Sequence, residues 1–439
     1  MEKQKEIKNF LNFIDNVPNS YLCVENLKYS LLEAGYQELT FRDDWNLYVG
    51  GKYFIIKDAA IIAFNIPNDY TSIKGFNIVA SHSDSPSFKI KNNPEIFKDG
   101  YLKLNTAQYG GMIYYSWFDR PLSIAGRVVV KNKNAFRTIN INVDKDLLII
   151  PSQAIHINRE VNKKNEINPQ KDMLPIISLS ENDSMNNIIS DYLNNKNIEF
   201  DEICDYDLYL YNHDKAKLLG LNDDFIIAPR LDNLASVWTS YKGFINSKND
   251  FSINVLSVFN SEEIGSDTKD GADSTFLSDT LYKISKKVNI DVMNLLDNSM
   301  VISADNAHAI HPNAPEKNDP TNKVYLGKGI AIKNHTNYST NALSSSIFKD
   351  ICNSSNIAYQ DFEVKSDLRS GSTLGKINEK HVSVDTVDIG IPQLAMHSAL
   401  ETMGTEDLFN MYNAMLDFYN TTRIKENDTV MVLRLKKVN

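Results

Sequence analysis

The side chains best suited to chemistry in this chain are a few acids and histidines that stand where apolar stretches end. His82 lies in VASHSDSP, just past the buried-type run FNIVAS (76–81), with Asp84 two residues on. In open α/β sheets ligands bind at strand ends, so an HxD there is placed for function. A metal-bound imidazole commonly gives its other N–H to a carboxylate, a role open to Asp84. By itself the string equally describes a loop histidine capped by a neighbouring acid. Asp232 in APRLDNLAS (228–236) follows the apolar FIIAP and precedes a helical pattern, where a lone Asp is ordinarily an N-cap. In SVFNSEEIGS (257–266) Glu262 and Glu263 are adjacent at the end of an apolar strand. Two such carboxylates repel each other unless they share a cation or a proton, or form a solvated turn. VISADNAHAIHPN (301–313) places Asp305 at another strand end, with His308 and His311 beyond it, and QLAMHSALETMG (393–404) places His397.

Each of these has an ordinary structural explanation, but five with the same placement form a set. His82, Asp232, Glu263, Asp305 and His397 supply two imidazoles, three carboxylates and no thiolate, a donor set for Zn, Mn or Co. A single ion would leave some of the acids buried without a partner. Two ions sharing one carboxylate use all five and leave positions open for water, as a co-catalytic hydrolase requires. Glu262, beside a ligand but left over, is then the natural general base. His82 and Asp232 are 232 − 82 = 150 residues apart, so for both to meet one metal the intervening chain must leave and return near one point, as an inserted domain.

The patterns around these residues supply the elements that position them. Phe10, Phe13, Ile14, Val24, Leu27, Leu31 and Leu32 repeat at helical spacing, and YFIIKDAAIIAF (53–64) and FNIVAS read as strands. From about 90 to 225 alternating strands dominate, such as LSIAGRVVV (122–130) and FRTININV (136–143). From Phe225 onward strands and helices alternate through NVLSVFN (254–260), VMNLLDNSMVISAD (292–305), ALSSSIFKDICNSS (342–355) and TEDLFNMYNAMLDFYNTTRI (405–424), which argues for an α/β layer structure. At 439 residues the chain has room for two or three structural units. With 46 Lys+Arg against 56 Asp+Glu, a net charge of −10, it has no general attraction to nucleic acid or to anionic membranes. Three scattered cysteines, Cys23, Cys204 and Cys352, argue against a disulfide framework, and the start lacks the apolar core of a signal peptide. No apolar run approaches the roughly 18 residues of a membrane helix, so a cytoplasmic, soluble protein is expected.

The strings SHSDSP with Lys89, WFDRPLSIAGRV, QAIHINR, PRLDNL, NSEEIGS, DNAHAIHPN, GIAIKN, SGSTLG and MHSALETMG, spread from about residue 75 to 408, resemble those of the aspartyl aminopeptidase family of two-metal (zinc) aminopeptidases. The resemblance implies a zinc-exopeptidase-like three-layer α/β/α catalytic domain with a mixed sheet, formed by residues 1–89 and 226–439 and interrupted by a β-rich dimerisation domain over 90–225. It implies two divalent metal ions per subunit, most simply Zn, with Mn or Co as alternatives. Asp232 would bridge them, His82 and Asp305 would complete one site, and Glu263 and His397 the other. Glu262 would be the general base and Asp84 the residue that orients His82. His308 and Lys333 would line the substrate pocket, and His156 would reach the active site of a neighbouring subunit. The activity implied is removal of the N-terminal residue from peptides, with a preference for Asp or Glu, by dimers assembled into a tetrahedral dodecamer. The Asp232–Asn233 peptide is expected to be cis. SDLRSGS (366–372), which borders the pocket, departs from the family pattern. Two other readings share the metal core: a related deacylase or carboxypeptidase, and a non-enzymatic scaffold, against which the free Glu262 argues.

Overall fold

The computed structural model describes residues 2–164, 166–369, 371–427 and 429–434. Its largest layer is a nine-stranded mixed sheet. In spatial order the strands are Gln37–Leu39, Lys52–Lys57, Ala60–Asn65, Ser252–Phe259, Gly75–His82, Met300–Ala304, Asp385–Gly390, Ile330–Lys333 and Tyr359–Phe362. The stretch that reads as one strand over 53–64 is a hairpin, turning at Asp58, whose φ of 56° lies in the left-handed region that Asp tolerates.

Strands Ser252–Phe259, Gly75–His82 and Met300–Ala304 are parallel, adjacent and buried at every position. Such strands need cover on both faces, and alternate side chains divide accordingly. Val79, Leu256, Val258, Ile302, Val387 and Ile389 pack on one side with the helices Glu2–Asn16, Ser20–Glu33, Leu231–Asn246, Ala342–Ser354 and Thr405–Tyr419. Phe76, Ile78, Ala80, Ile253, Val255 and Val301 pack on the other with the helices Phe276–Val288, Val292–Asp297 and Leu374–Glu379. The result is the three-layer α/β/α arrangement with a mixed sheet.

A six-stranded sheet has its own apolar core. Its order is Ala135–Asn142, Leu122–Asn132, Glu202–Asn212, Ser87–Lys98, Tyr101–Tyr109 and Ile176–Ser178, with Met185, Ile189 and Leu193 of the helix Met185–Asn195 packed on one face. This sheet spans residues 87 to 212, whereas Lys217–Leu219 pairs with Phe225–Ala228 in a third sheet. That five-stranded sheet continues through Glu401–Gly404 and Pro392–Leu394 to Ala307–His308. No described helix is long and apolar enough to cross a membrane.

Helices Leu231–Asn246 and Thr405–Tyr419 cross closely at Gly243, where an added Cβ would stand 2.7 Å from the Met415 Cβ and 2.9 Å from the Leu416 nitrogen. An alanine in place of a helical glycine ordinarily stabilises by about 1 kcal/mol. Here the methyl must push the helices apart, and overpacking of that kind costs about 1–3 kcal/mol. Gly243→Ala should therefore lower the thermal unfolding midpoint, where the helix-propensity effect alone would raise it.

Candidate metal centre

The three parallel strands deliver their acids and histidine to one edge. Phe259 is in register with His82, so the turn after Phe259 brings Glu262 and Glu263 beside the end of the neighbouring strand. Asp305 follows Met300–Ala304 on the other side of His82. The five-stranded sheet faces this edge and supplies the rest: Asp232 follows Phe225–Ala228, and His397 lies in the connection between Pro392–Leu394 and Glu401–Gly404. Non-glycine residues in left-handed conformation sit at these junctions, Arg230 at φ 59°, Ser261 at φ 63° and His397 at φ 65°. Strained backbone of this sort persists where surrounding structure imposes it and concentrates at functional sites.

The side chains meet in two overlapping groups, His82 with Asp232 and Asp305, and Asp232 with Glu263 and His397. His82 Nε2 stands 3.7 Å from Asp232 Oδ1 and 3.5 Å from Asp305 Oδ1, while His397 Nε2 stands 3.6 Å from Asp232 Oδ2 and 3.4 Å from Glu263 Oε2. Asp232 thus turns one oxygen to each imidazole. All but His397 are largely buried, and neither Asp232 Oδ1 nor Glu263 Oε1 has a hydrogen-bond partner. Buried carboxylate oxygens left unpaired are costly, and a cation between the groups would satisfy them. The mixed imidazole and carboxylate donors therefore fit divalent ions such as Zn, Mn or Co.

The charges report the same crowding. Burial, then the neighbouring Asp305, pushes the Asp232 carboxyl up to about 6. Glu262 is pushed up to about 8 by burial and by Asp305, Asp84 and Asp232, against the opposing pull of His82. Glu263 is raised well above the usual range by burial and by Asp232. Asp305 goes the other way: burial would raise it, but Lys333 and His82 outweigh that and bring it down to about 2.

Around the cluster, other groups hold the donors in place. Asp84 accepts from the backbone N–H groups of Glu262 and Glu263, both at 3.1 Å, and His82 Nδ1 faces its Oδ1 at 3.4 Å. Lys333 is buried in the wall, with Nζ 3.3 Å from Asp305 Oδ2 and 5.6 Å from the centre of the Tyr338 ring. His308 packs edge-on against Phe362 with ring centres 4.9 Å apart; its surface is open to solvent, but the protein packed round the ring partly desolvates it, and this and the nearby Lys333 hold its pKa below the ordinary value. His156 stands exposed on the loop around 151–161 and makes no hydrogen bond or ion pair with the cluster among the described residues. Ser370, in the divergent SDLRSGS string, lies outside the described residues. The Asp232–Asn233 peptide is cis, as expected.

Glu401 is a residue that sequence patterns did not single out. Its buried carboxylate accepts from the backbone N–H of Asp232 at 2.9 Å and of His397 at 2.7 Å, tying two donors of the second group together. Asn306 extends the support, donating to the Leu231 carbonyl at 2.8 Å and to Gln393 Oε1 at 2.9 Å. A buried-pattern acid at the start of the short strand ETMG was the available signal, masked by the more conspicuous His397 four residues earlier.

Known proteins share this architecture and sequence. The sequence pattern of the family described as Aminopeptidase I zinc metalloprotease (M18) matches residues 13–419. The probable M18 family aminopeptidase 2 of Clostridium acetobutylicum is 41% identical over 424 residues, covering 94% of this chain and 98% of the relative. The solved complex of Ape4 and Nbr1 contains a chain with TM-score 0.91 and 31% identity, covering 95% of this chain and 86% of that one. The dodecamer of mApe1 from S. cerevisiae shares the fold at TM-score 0.81 and 23% identity, covering 94% of this chain and 95% of that one. With the match running through nearly the whole chain, the protein belongs to the M18 family, which includes the aspartyl-aminopeptidase-like enzymes, and is a metal-dependent aminopeptidase.

Proposed function

We propose that the chain holds two divalent cations, most simply zinc, and uses them to remove N-terminal residues, preferentially Asp or Glu, from peptides. The observation that carries this reading is the single carboxylate of Asp232 turned toward both donor groups. His82 and Asp305 would complete the first site, Glu263 and His397 the second. Cations bound there would act as Lewis acids toward the scissile carbonyl and would lower the pKa of an attacking water.

Glu262 is the acid of the cluster left free of a ligand role. Its side chain is 13% exposed against 4% for Glu263, and its Oε2 is 4.0 Å from His82 Nε2. It is therefore placed to take the proton of the attacking water and return it to the leaving amine. Asp84 fixes the backbone of both glutamates, so proton carrier and ligand keep one relative geometry. Lys333 supplies a buried cation on the pocket wall, where pairing with an acidic first side chain would be weakly screened. His308 lies on the same wall and would line the pocket beside it. The likeness to the mApe1 dodecamer supports assembly of this chain into a homo-oligomer. In a tetrahedral dodecamer of paired subunits, the exposed loop carrying His156 would reach a neighbour's pocket. The free thiols of Cys23, Cys204 and Cys352 suit a cytoplasmic location.

Elemental analysis of the purified, dialysed protein should give two metal ions per chain, and Asp232→Asn should deplete both rather than one. Glu262→Gln should keep the metal content while lowering kcat by about 10²–10⁴-fold, the usual effect of losing a general base; turnover within tenfold of the wild type would remove Glu262 from that role. Lys333→Met should lower kcat/KM for Asp and Glu anilides by roughly 10–100-fold, as expected for a lost charge-assisted hydrogen bond. Neutral anilides measured alongside should fall much less.

A further inference from the structure

We propose that the segment 109–113, where the six-stranded sheet runs up against the metal centre, is a positioning element of that centre, with Tyr109 its principal donor. The inference rests on the metal-centre reading given above. Three contacts carry it. The Tyr109 hydroxyl donates to Asp84 Oδ2 at 2.8 Å, the shortest hydrogen bond made to that carboxylate; the same oxygen accepts the Glu263 N–H at 3.1 Å. Gly110, at φ 72°, lies so near Glu263 that an added Cβ would stand 3.0 Å from the Glu263 Cβ. The Ile113 N–H donates to the carbonyl of His397 at 3.0 Å.

The segment therefore touches the orienting residue of one donor group and two ligands of the other. Every one of these contacts crosses from the sheet spanning residues 87–212 to elements outside it. The Asp84 carboxyl group accepts from Glu262, Glu263 and Tyr109 together, and a phenol aimed at it adds a hydrogen bond without adding a formal charge to the crowded cluster. Burial, followed by the nearby Asp84, raises the Tyr109 phenol far above its ordinary range, so the hydroxyl stays protonated and acts as a donor. The ring is held edge-on by Tyr209 of the same sheet, with centres 5.5 Å apart. In this arrangement the six-stranded sheet takes a direct part in the metal centre. How it docks sets how Asp84 holds His82 and the Glu262–Glu263 turn. Partners one step behind metal ligands typically change affinity or activity by about 10–100-fold when removed.

The test uses Tyr109→Phe, which removes one oxygen from a filled site, in the full-length protein stripped of metal and titrated with Co(II). Tyr206→Phe is the control, because its phenol bonds the Lys91 carbonyl at 2.9 Å within the same sheet. The expected result for Tyr109→Phe is Co(II) affinity lowered by about tenfold, an altered Co(II) absorption spectrum, and a fall in kcat with KM little changed. Tyr206→Phe should match the wild type in all three. Gly110→Ala, approaching from the Glu263 side, should also alter the Co(II) spectrum. Wild-type affinity and spectrum in both Tyr109→Phe and Gly110→Ala would overturn the inference while leaving the metal centre intact. Failure of the wild type itself to bind Co(II) would instead overturn the metal-centre reading, and this inference with it.

Discussion

Asp232, Glu262, Glu263 and Asp305 are pressed together where the nine-stranded and five-stranded sheets meet, and their mutual repulsion is the constraint around which the rest of the structure is arranged. Isolated buried carboxylates take up protons or find cations, because desolvating even one charge costs several kcal/mol. This chain supplies partial relief from its own residues: Lys333 beside Asp305, backbone N–H groups on Asp84, and imidazoles on both flanks. Two oxygens of the cluster still lack a hydrogen-bond partner, Asp232 Oδ1 and Glu263 Oε1. The sheets hold the acids in place, and the remaining imbalance is what would make the place a cation site.

Holding them takes more than the strands. Glu401 draws the backbones of Asp232 and His397 onto one carboxylate, although the two lie 397 − 232 = 165 residues apart. Asp84 does the same for Glu262 and Glu263 and is itself reached by Tyr109 from the six-stranded sheet. Candidate donors from distant parts of the chain are thus fixed by a second set of buried acids that accept mainly from backbone N–H groups. A site built this way is pre-organised by the fold.

The sequence carried much of this arrangement, and the reason differs from residue to residue. His82, Asp232, Glu262, Glu263, Asp305 and His397 were legible because each follows an apolar strand pattern, and strand ends in α/β sheets converge. The structure brings the five donors among them into two overlapping groups that share Asp232. Glu401 and Tyr109 were not legible: Glu401 opens the strand Glu401–Gly404 instead of following one, Tyr109 ends the largely polar strand Tyr101–Tyr109, and nothing in a single strand's pattern shows which distant backbone or carboxylate its side chain meets. The hairpin at Asp58 was missed for a related reason: a two-residue turn between Lys57 and Ala60 interrupts the apolar pattern too briefly to read as a break. The role expected of His156 would depend on contacts beyond one chain, and a single subunit shows only its exposed loop.

In the proposed centre one carboxylate, Asp232, joins two cation sites. Anomalous diffraction at the zinc absorption edge, from crystals of the zinc-loaded protein, tests it most directly. Two peaks should stand on either side of Asp232, one against His82 and Asp305 and the other against Glu263 and His397. A single peak, or two peaks of which either makes no contact with Asp232, would contradict the account.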